Sequence, residues 1–307
     1  MTQEKQTTIH NPFTLSGPGL HTGGFYHATV RPASANTGIV IRRTDLGTPV
    51  EIQAIATAVV DTNHGTTVAS GKTTVSTIEH MMSAFHGMGI DNAVVDIDGP
   101  EIPILDGSSV LWVDGIRQSG IVELDCARSY LEIKENVEWR DDASGIIMTA
   151  TPADGFSVEC NIRFESSLIG NQSVSFSDFA TYPVEIAPCR TFVFLHEVKM
   201  LLAANLIKGG DLDNALVFVD KPLDESEKES LARLFNKDKS TIQVHEGVLN
   251  TVVPYFPNEP ARHKMLDFIG DIRLVGKPLK GHFRLECPGH RANVALANLI
   301  LSKITKN

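Results

Sequence analysis

Hydrophobic and polar residues alternate along HATVRP (27–32), GIVIRRT (38–44) and VEIQAIATAVV (50–60), with Pro, Gly and Asn between the runs. Alternation with β-branched enrichment predicts strands. Ahead of them, SGPGLHTGG (16–24) reads as a turn-rich loop. Its glycines at 17, 19, 23 and 24 miss the G-x-G-x-x-G spacing of a dinucleotide-binding turn. The period lengthens in STIEHMMSAFHGMG (76–89), where Ile78, Met81, Met82 and Phe85 recur every three to four residues and predict a helix. Ser76 and Glu79 have capping-box spacing, and Gly87 and Gly89 supply the stop. NAVVDID (92–98) predicts a strand, GPEIPILDGSS (99–109) a loop and VLWVDGIRQSG (110–120) a second helix.

The pattern restarts around 121–130. YLEIKENVEWR (130–140), GIIMTATPA (145–153), FSVECNIRF (156–164) and SVSFSDF (173–179) predict strands. HEVKMLLAANLIKGG (196–210) predicts a helix ended by paired glycines, and DNALVFVD (213–220) a buried strand. DESEKESLARLFN (224–236) predicts an exposed helix. RHKMLDFIGDIRLVG (262–276) and GHRANVALANLILSKI (289–304) predict the last two. Each half runs strands first and helices after, without βαβα alternation, which is an α+β layout. Two domains are expected, at 1–125 and 126–307. A short echo, GIDNAVV (89–95) against DLDNALV (211–217), hints at kinship between the halves.

Composition narrows the function. The chain has 307 residues, 42% of them hydrophobic and 21% charged, which excludes disordered and collagenous classes. Lys and Arg number 27 against 37 Asp and Glu, a net charge of −10 that argues against a nucleic-acid partner. Cysteines at 126, 160, 189 and 287 form no CxxC pair, so neither a zinc cluster nor a disulfide framework is expected. The N-terminus, MTQEKQTTIHNPF, lacks the apolar run of a signal peptide, and no uncharged apolar stretch reaches the ~18 residues of a membrane span. A cytoplasmic protein without a membrane span is expected.

Four segments carry candidate chemistry. His263 and Asp267 lie at i and i+4 on one helix face, with Asp271 a turn further along. An imidazole and a carboxylate so placed suit Zn²⁺, and a solvated His–Asp pair is the plainer alternative. Glu79 and His80 offer a base and a further ligand on the first helix, while Glu79 also suits a capping role. No HExxH or HxxEH motif is present, because Met81 and Ala84 follow His80 and Ser76 precedes Glu79. His86 falls on another face and reads as structural. His290, at the start of the last helix, is either a proton donor or a surface histidine. In Arg190-Thr191-Phe192-Val193-Phe194, a hydroxyl beside a cation could serve an oxyanion, or simply sit in a strand.

Taken together the motifs resemble the UDP-3-O-acyl-N-acetylglucosamine deacetylase family, zinc enzymes of lipid A biosynthesis. The likeness rests on GLHTG (19–23), RPASANTGI (31–39), RRTDL (42–46), STIEH (76–80), GIDNAVV (89–95), PEIPILDGS (100–108), RTFVF (190–194), GGDLDNALV (209–217), RHKMLDFIGD (262–271) and GHRANVAL (289–296), in the family's order. The resemblance implies two similar α+β domains, each a sheet layered on helices, with the active site where they meet. It implies one catalytic Zn²⁺, with Fe²⁺ as the alternative, held by His80, His263 and Asp267. It implies Glu79 as general base and His290 as general acid oriented by Asp271. Thr191 would donate to the oxyanion, and Lys264 would contact the substrate head group. The reaction would be hydrolysis of the N-acetyl amide of UDP-3-O-acyl-N-acetylglucosamine. An insert at about 193–220 would form the acyl passage, with Phe192, Phe194, Gly210, Ala215 and Val217 lining or supporting it. Leu20 and Phe164 would contact acyl chain or nucleotide, and Arg190 and Arg262 would help Lys264 offset the diphosphate. Asp211 and the His64-bearing loop TNHGTT (62–67) depart from the family pattern. A monomer is expected. Some family members are fused to an acyl-dehydratase module, which these 307 residues do not contain. A different zinc amidohydrolase and a catalytically silent binder are the competing readings.

Overall fold

The computed structural model describes residues 4–203, 207–249 and 253–304. Among them seven helices form: α1 (Glu79–Gly87), α2 (Val110–Ser119), α3 (Tyr182–Glu185), α4 (Leu195–Ala203), α5 (Glu225–Leu234), α6 (Glu259–Ile272) and α7 (His290–Ile304). None is long and apolar enough to cross a membrane. The class is α+β, as the strand-then-helix order implies.

Two larger sheets share one topology. In the first, the strand order is Phe13–Pro18, Phe25–Pro32, Ala93–Ile97, Ile39–Arg43, Val50–Gln53. In the second it is Val137–Asp141, Ile146–Thr151, Leu279–Glu286, Phe156–Arg163, Asn171–Phe176, with Leu131–Glu132 added beside Leu279–Glu286. In both, the last strand in sequence enters the centre, antiparallel to one hairpin and parallel to a strand of the other. In both, one helix precedes that strand and another follows it: α1 and α2 in the first unit, α6 and α7 in the second. The unit is therefore used twice.

The short echo between 89–95 and 211–217 does not mark this repeat. Ala93–Ile97 is a central strand, whereas Leu216–Phe218 belongs to a small sheet in an excursion. The structural counterpart of Ala93–Ile97 is Leu279–Glu286, because strand order is set by alternation and pairing rather than by side-chain identity. The Leu279–Glu286 strand buries every second residue. Gly281 and two basic residues, Lys280 and His282, interrupt its apolar run, and the sequence pattern did not single it out.

Each unit is interrupted at the same place, between its fourth strand and the helix that precedes its central strand. The first excursion is a three-stranded sheet of Val59–Asp61, Thr67–Ser70 and Thr73–Val75. The second is a four-stranded sheet of Phe192–Phe194, Leu216–Phe218, Val248–Leu249 and Val244–His245, with α4 and α5 attached. Over the segment of the expected insert, 193–220, the chain runs strand, helix, parallel strand, and the sheet continues to Leu249. The predicted helix 196–210 is described to Ala203, and residues 204–206 of that prediction lie outside the described residues. α5 forms where an exposed helix is expected, and it carries a capping box between Asp224 and Glu227.

The layers meet on α1 and α6. Every residue of α1 is buried. The two helices approach so closely that a Cβ on Gly270 would lie 2.1 Å from the Glu79 carbonyl oxygen. The capping box expected from Ser76 and Glu79 does not form. Thr77 takes φ +59°, which stops the helix from extending back to Ser76. Glu101 accepts from the Thr77 hydroxyl at 3.0 Å and holds that turn. The Glu79 side chain is thereby released for another partner.

Candidate active site

α1 delivers Glu79 and His80 from its first two positions, and α6 delivers His263 and Asp267 one turn apart. His80 Nε2 lies 3.6 Å and His263 Nε2 3.3 Å from Asp267 Oδ1, and the two rings sit edge to face at 5.0 Å. One donor atom from each of the three residues falls within 4.8 Å of the others. All three side chains are buried. His263 Nδ1–H donates to the Cys189 carbonyl at 3.0 Å, which fixes the tautomer and leaves Nε2 as the free donor. Burial holds His263 down to about 3, so its imidazole is neutral at ordinary pH. Burial alone would raise Asp267, but the positive charges of Lys264 and His290 outweigh it and keep the carboxyl ionised.

These donors fit a metal. Among the described residues, Asp267 Oδ1 and His80 Nδ1 are buried without a hydrogen-bond partner. A buried carboxylate oxygen left unpaired is costly unless a cation meets it. Two imidazoles and one carboxylate leave a coordination position open, which is the catalytic rather than the structural pattern.

Glu79 is buried beside this cluster, and its Oε2 accepts from the Thr66 backbone N–H at 2.9 Å. Burial raises its pKa above the ordinary carboxylate value, against the lowering influence of His290 and His80. His290, at the start of α7, pairs through Nδ1 with Asp271 Oδ2 at 3.0 Å. Burial would lower His290, but Asp271, Asp267 and Glu79 reverse that and bring it up to about 9. Asp271 is fully buried and accepts three bonds, from His290, from Asn293 Nδ2 at 2.9 Å and from the Thr66 hydroxyl at 2.6 Å.

A cleft of about 220 Å³ opens onto the cluster. Glu79, His80, Thr191, His263, Lys264, Asp267 and His290 all face it. Of the expected contact residues, Leu20, Phe192, Gly210, Ala215 and Val217 line it. Phe164 and Phe194 do not. They pack behind Phe192, with ring centres 5.6 Å apart for Phe164–Phe192 and 5.9 Å for Phe164–Phe194, and support the wall instead. The apolar end is completed by Val198, Leu201, Ile207 and Phe235, all from the second excursion. His64 and Asp211, the two departures from the family pattern, also face the cleft.

Arg190 and Arg262 do not face it. Arg190 is buried against Glu259, Nε to Oε1 at 3.0 Å, and stacks on Tyr255. Arg262 lies 4.1 Å over the Phe256 ring and bonds to the Glu185 carbonyl. A planar guanidinium that finds a carboxylate or a ring is held by it. Lys264 is the expected cation that does reach the cleft. Its amine is 3.0 Å from Asp267 Oδ2 and 5.6 Å from the Phe192 ring centre.

Two residues that sequence reasoning missed organise the site. Thr66 bonds Glu79 through its backbone and Asp271 through its hydroxyl, so one residue restrains both carboxylates. Its partner Asp271 is 205 residues away, and no local pattern could reveal it. Glu101, fully buried, accepts from His21 N–H, Thr22 N–H and the Thr22 hydroxyl at 2.9, 2.9 and 2.7 Å. It thereby fixes the loop that presents Leu20. The two prolines within PEIPILDGS, Pro100 and Pro103, suggested a loop, but nothing in the spacing marked Glu101 as its anchor.

A family model described as UDP-3-O-acyl N-acetylglycosamine deacetylase matches residues 6–228 and 221–302. A bifunctional LpxC/FabZ enzyme of Porphyromonas gingivalis is 44% identical over 306 residues, 99% of this chain and 66% of that protein. The chain spans 65% of the corresponding bifunctional enzymes of Chlorobaculum tepidum and Bacteroides thetaiotaomicron. A UDP-3-O-acyl-N-acetylglucosamine deacetylase of Phenylobacterium zucineum is 39% identical, covering 97% of this chain and 94% of its own length. One of an Anaeromyxobacter species is 40% identical, covering 98% and 90%.

Proposed function

The chain belongs to the UDP-3-O-acyl N-acetylglycosamine deacetylase family, and we propose that it hydrolyses the N-acetyl group of UDP-3-O-acyl-N-acetylglucosamine in lipid A biosynthesis. The products are acetate and the free amine of the acylated UDP-sugar. The observation that carries the reading is the buried His80–His263–Asp267 cluster, with its unpaired Asp267 oxygen, beside Glu79 and the His290–Asp271 pair.

Zn²⁺ is the ion we assign to His80, His263 and Asp267, and Fe²⁺ accepts the same donors. When bound, such an ion supplies Lewis acidity, acidifying water and drawing charge from an acyl oxygen. The protein's own groups do the rest. Glu79, raised by burial and held by Thr66, takes the proton of the attacking water. Thr191 faces the cleft, and its hydroxyl has no protein partner among the described residues, so it is free to donate to the developing oxyanion. His290, kept cationic by Asp271, gives a proton to the departing nitrogen. Lys264 supplies positive charge to the head group despite the net charge of −10. Leu20, Phe192, Gly210, Ala215 and Val217 contact the substrate, with Phe164 and Phe194 behind them. The units act as domains of 1–125 and 126–307 in a cytoplasmic monomer.

The test is acetate release from the acylated UDP-sugar by purified protein, with metal content measured on the same sample. Chelation abolishes release, and Zn²⁺ restores it. Equal turnover of substrates lacking the UDP group or the 3-O-acyl chain would instead identify a broader amidohydrolase. Tight substrate binding without turnover would identify a silent binder.

A further inference from the structure

At the far ends of the two metal-bearing helices lies a second cavity, rich in cationic side chains, that the deacetylase chemistry does not use. Its volume is about 280 Å³, and it shares no lining residue with the cleft. Arg273, the residue after α6, forms part of its wall together with Asp91, Arg128, Asn36, Ser129 and Lys277.

Arg273 is 3% exposed, yet among the described residues its five N–H donors make one hydrogen bond, from Nη2 to the Asp91 carbonyl at 3.5 Å. No carboxylate pairs with it at ion-pair distance among the described residues. The nearest candidate is committed elsewhere: Asp91 Oδ2 accepts from Arg128 Nε at 2.8 Å and from the Thr7 N–H at 2.9 Å. Buried guanidinium groups are otherwise paired, as Arg190 is with Glu259 and Arg43 with Asp45 in this same chain. The position at the end of α6 offers only the partial negative charge of a helix C-terminus. Burial pulls Arg273 down to about 10, a value that still leaves it charged. Lys277, exposed at the mouth, also lacks an ion-pair partner among the described residues. The wall thus carries three cations and one carboxylate, in a chain whose overall charge is strongly negative.

We propose that this cavity is a binding site for a small tetrahedral oxyanion of the phosphate type, with Arg273 as its buried anchor and Lys277 at its entrance. Such an ion completes the donor set of Arg273 in the way a carboxylate completes that of Arg190. The same chemistry is offered by free phosphate and by the phosphates of a nucleotide, and the two are separated experimentally.

The experiment measures thermal unfolding in inorganic phosphate against sodium chloride of equal ionic strength. The expected result is a saturable rise in Tm of about 2–4 °C specific to phosphate. Lys277→Glu, at an exposed position where folding is not at stake, weakens the apparent Kd roughly tenfold. Arg273→Gln abolishes the rise, and if that variant does not fold, Lys277→Glu decides alone. Lys264→Ala retains the phosphate response while losing any response to UDP, which places the phosphate outside the cleft. The proposal is overturned if phosphate does no more than chloride. It is also overturned if Lys277→Glu leaves the apparent Kd unchanged, if the rise disappears in Lys264→Ala, or if only UDP raises Tm.

Discussion

The two sheet-and-helix units share a strand order, yet the excursions that interrupt them have different physical characters. The first, built around Val59–Val75, has no separate apolar cluster and leans on the main core through Val68 and Val75. It contributes polar restraint, chiefly Thr66. The second carries its own small core of Leu195, Val198, Leu212, Val217, Val219, Leu231, Ala232, Ile242 and Leu249. It contributes apolar surface to the cleft. One duplicated scaffold thus separates two tasks. The candidate metal-binding and catalytic groups sit where α1 and α6 cross in the shared core, and the apolar end of the cleft is built in a segment with a core of its own. Changes to the first region should alter kcat, and changes to the second should alter KM.

The largest effect is expected at the crossing helices. Glu79→Gln keeps the shape and the Thr66 bond but removes the base, so kcat should fall about 10²–10⁴-fold with metal content unchanged. Loss of metal in that variant would show that Glu79 is a ligand rather than a base. In the second excursion, Ala215→Phe should narrow the apolar end and raise KM for a long 3-O-acyl substrate roughly 10–200-fold, with little effect on a short-chain analogue. A matching fall in kcat on both substrates would erase the division of labour.

Thr66→Val retains the backbone bond to Glu79 and removes the bond to Asp271. Leaving that buried carboxylate one donor short costs about 1–3 kcal/mol, so kcat should drop while KM stays near its original value, and Thr66→Ser should restore it. A fall in Tm without a change in kcat would reduce Thr66 to a structural residue.

The effect that is smallest at neutral pH, because it develops only in acid, concerns the scaffold itself. His86, buried on α1, donates to the Ile269 carbonyl at 2.8 Å and packs against Phe156 and Phe179. Burial, with Arg273 nearby, lowers it from 6.5 to about 3. The unfolded chain therefore binds more protons between those values. Stability from the neutral ring is complete above pH 6.5 and is lost as the pH falls, by about 1.4 kcal/mol per unit towards pH 3. His86→Gln should flatten that acid limb in denaturant titrations, and an unchanged limb would remove His86 from the account.

Legibility in the sequence followed the range of the interaction. The His263–Asp267 stripe was visible because i and i+4 meet on any helix, and α1 was visible because Ile78, Met81, Met82 and Phe85 recur at helical spacing. The convergence of His80 with that stripe was not written in either helix, and the family resemblance supplied it. Ser76 looked like a cap because spacing cannot show that Thr77 adopts a positive φ under the pull of Glu101. Arg190 and Arg262 looked available to a diphosphate because sequence does not reveal that Glu259 and Phe256 already hold them. The central strand Leu279–Glu286 was obscured because Lys280 and His282 stand at its partly exposed positions and Gly281 weakens its apolar face.

Anomalous diffraction at the zinc edge, on crystals of the metal-loaded protein, locates the ion and its ligands in one measurement. One strong peak is expected, bonded at ~2.0–2.2 Å to His80, His263 and Asp267, with no other protein ligand. A peak elsewhere, or a fourth protein donor closing the ion off from substrate, would contradict this assignment.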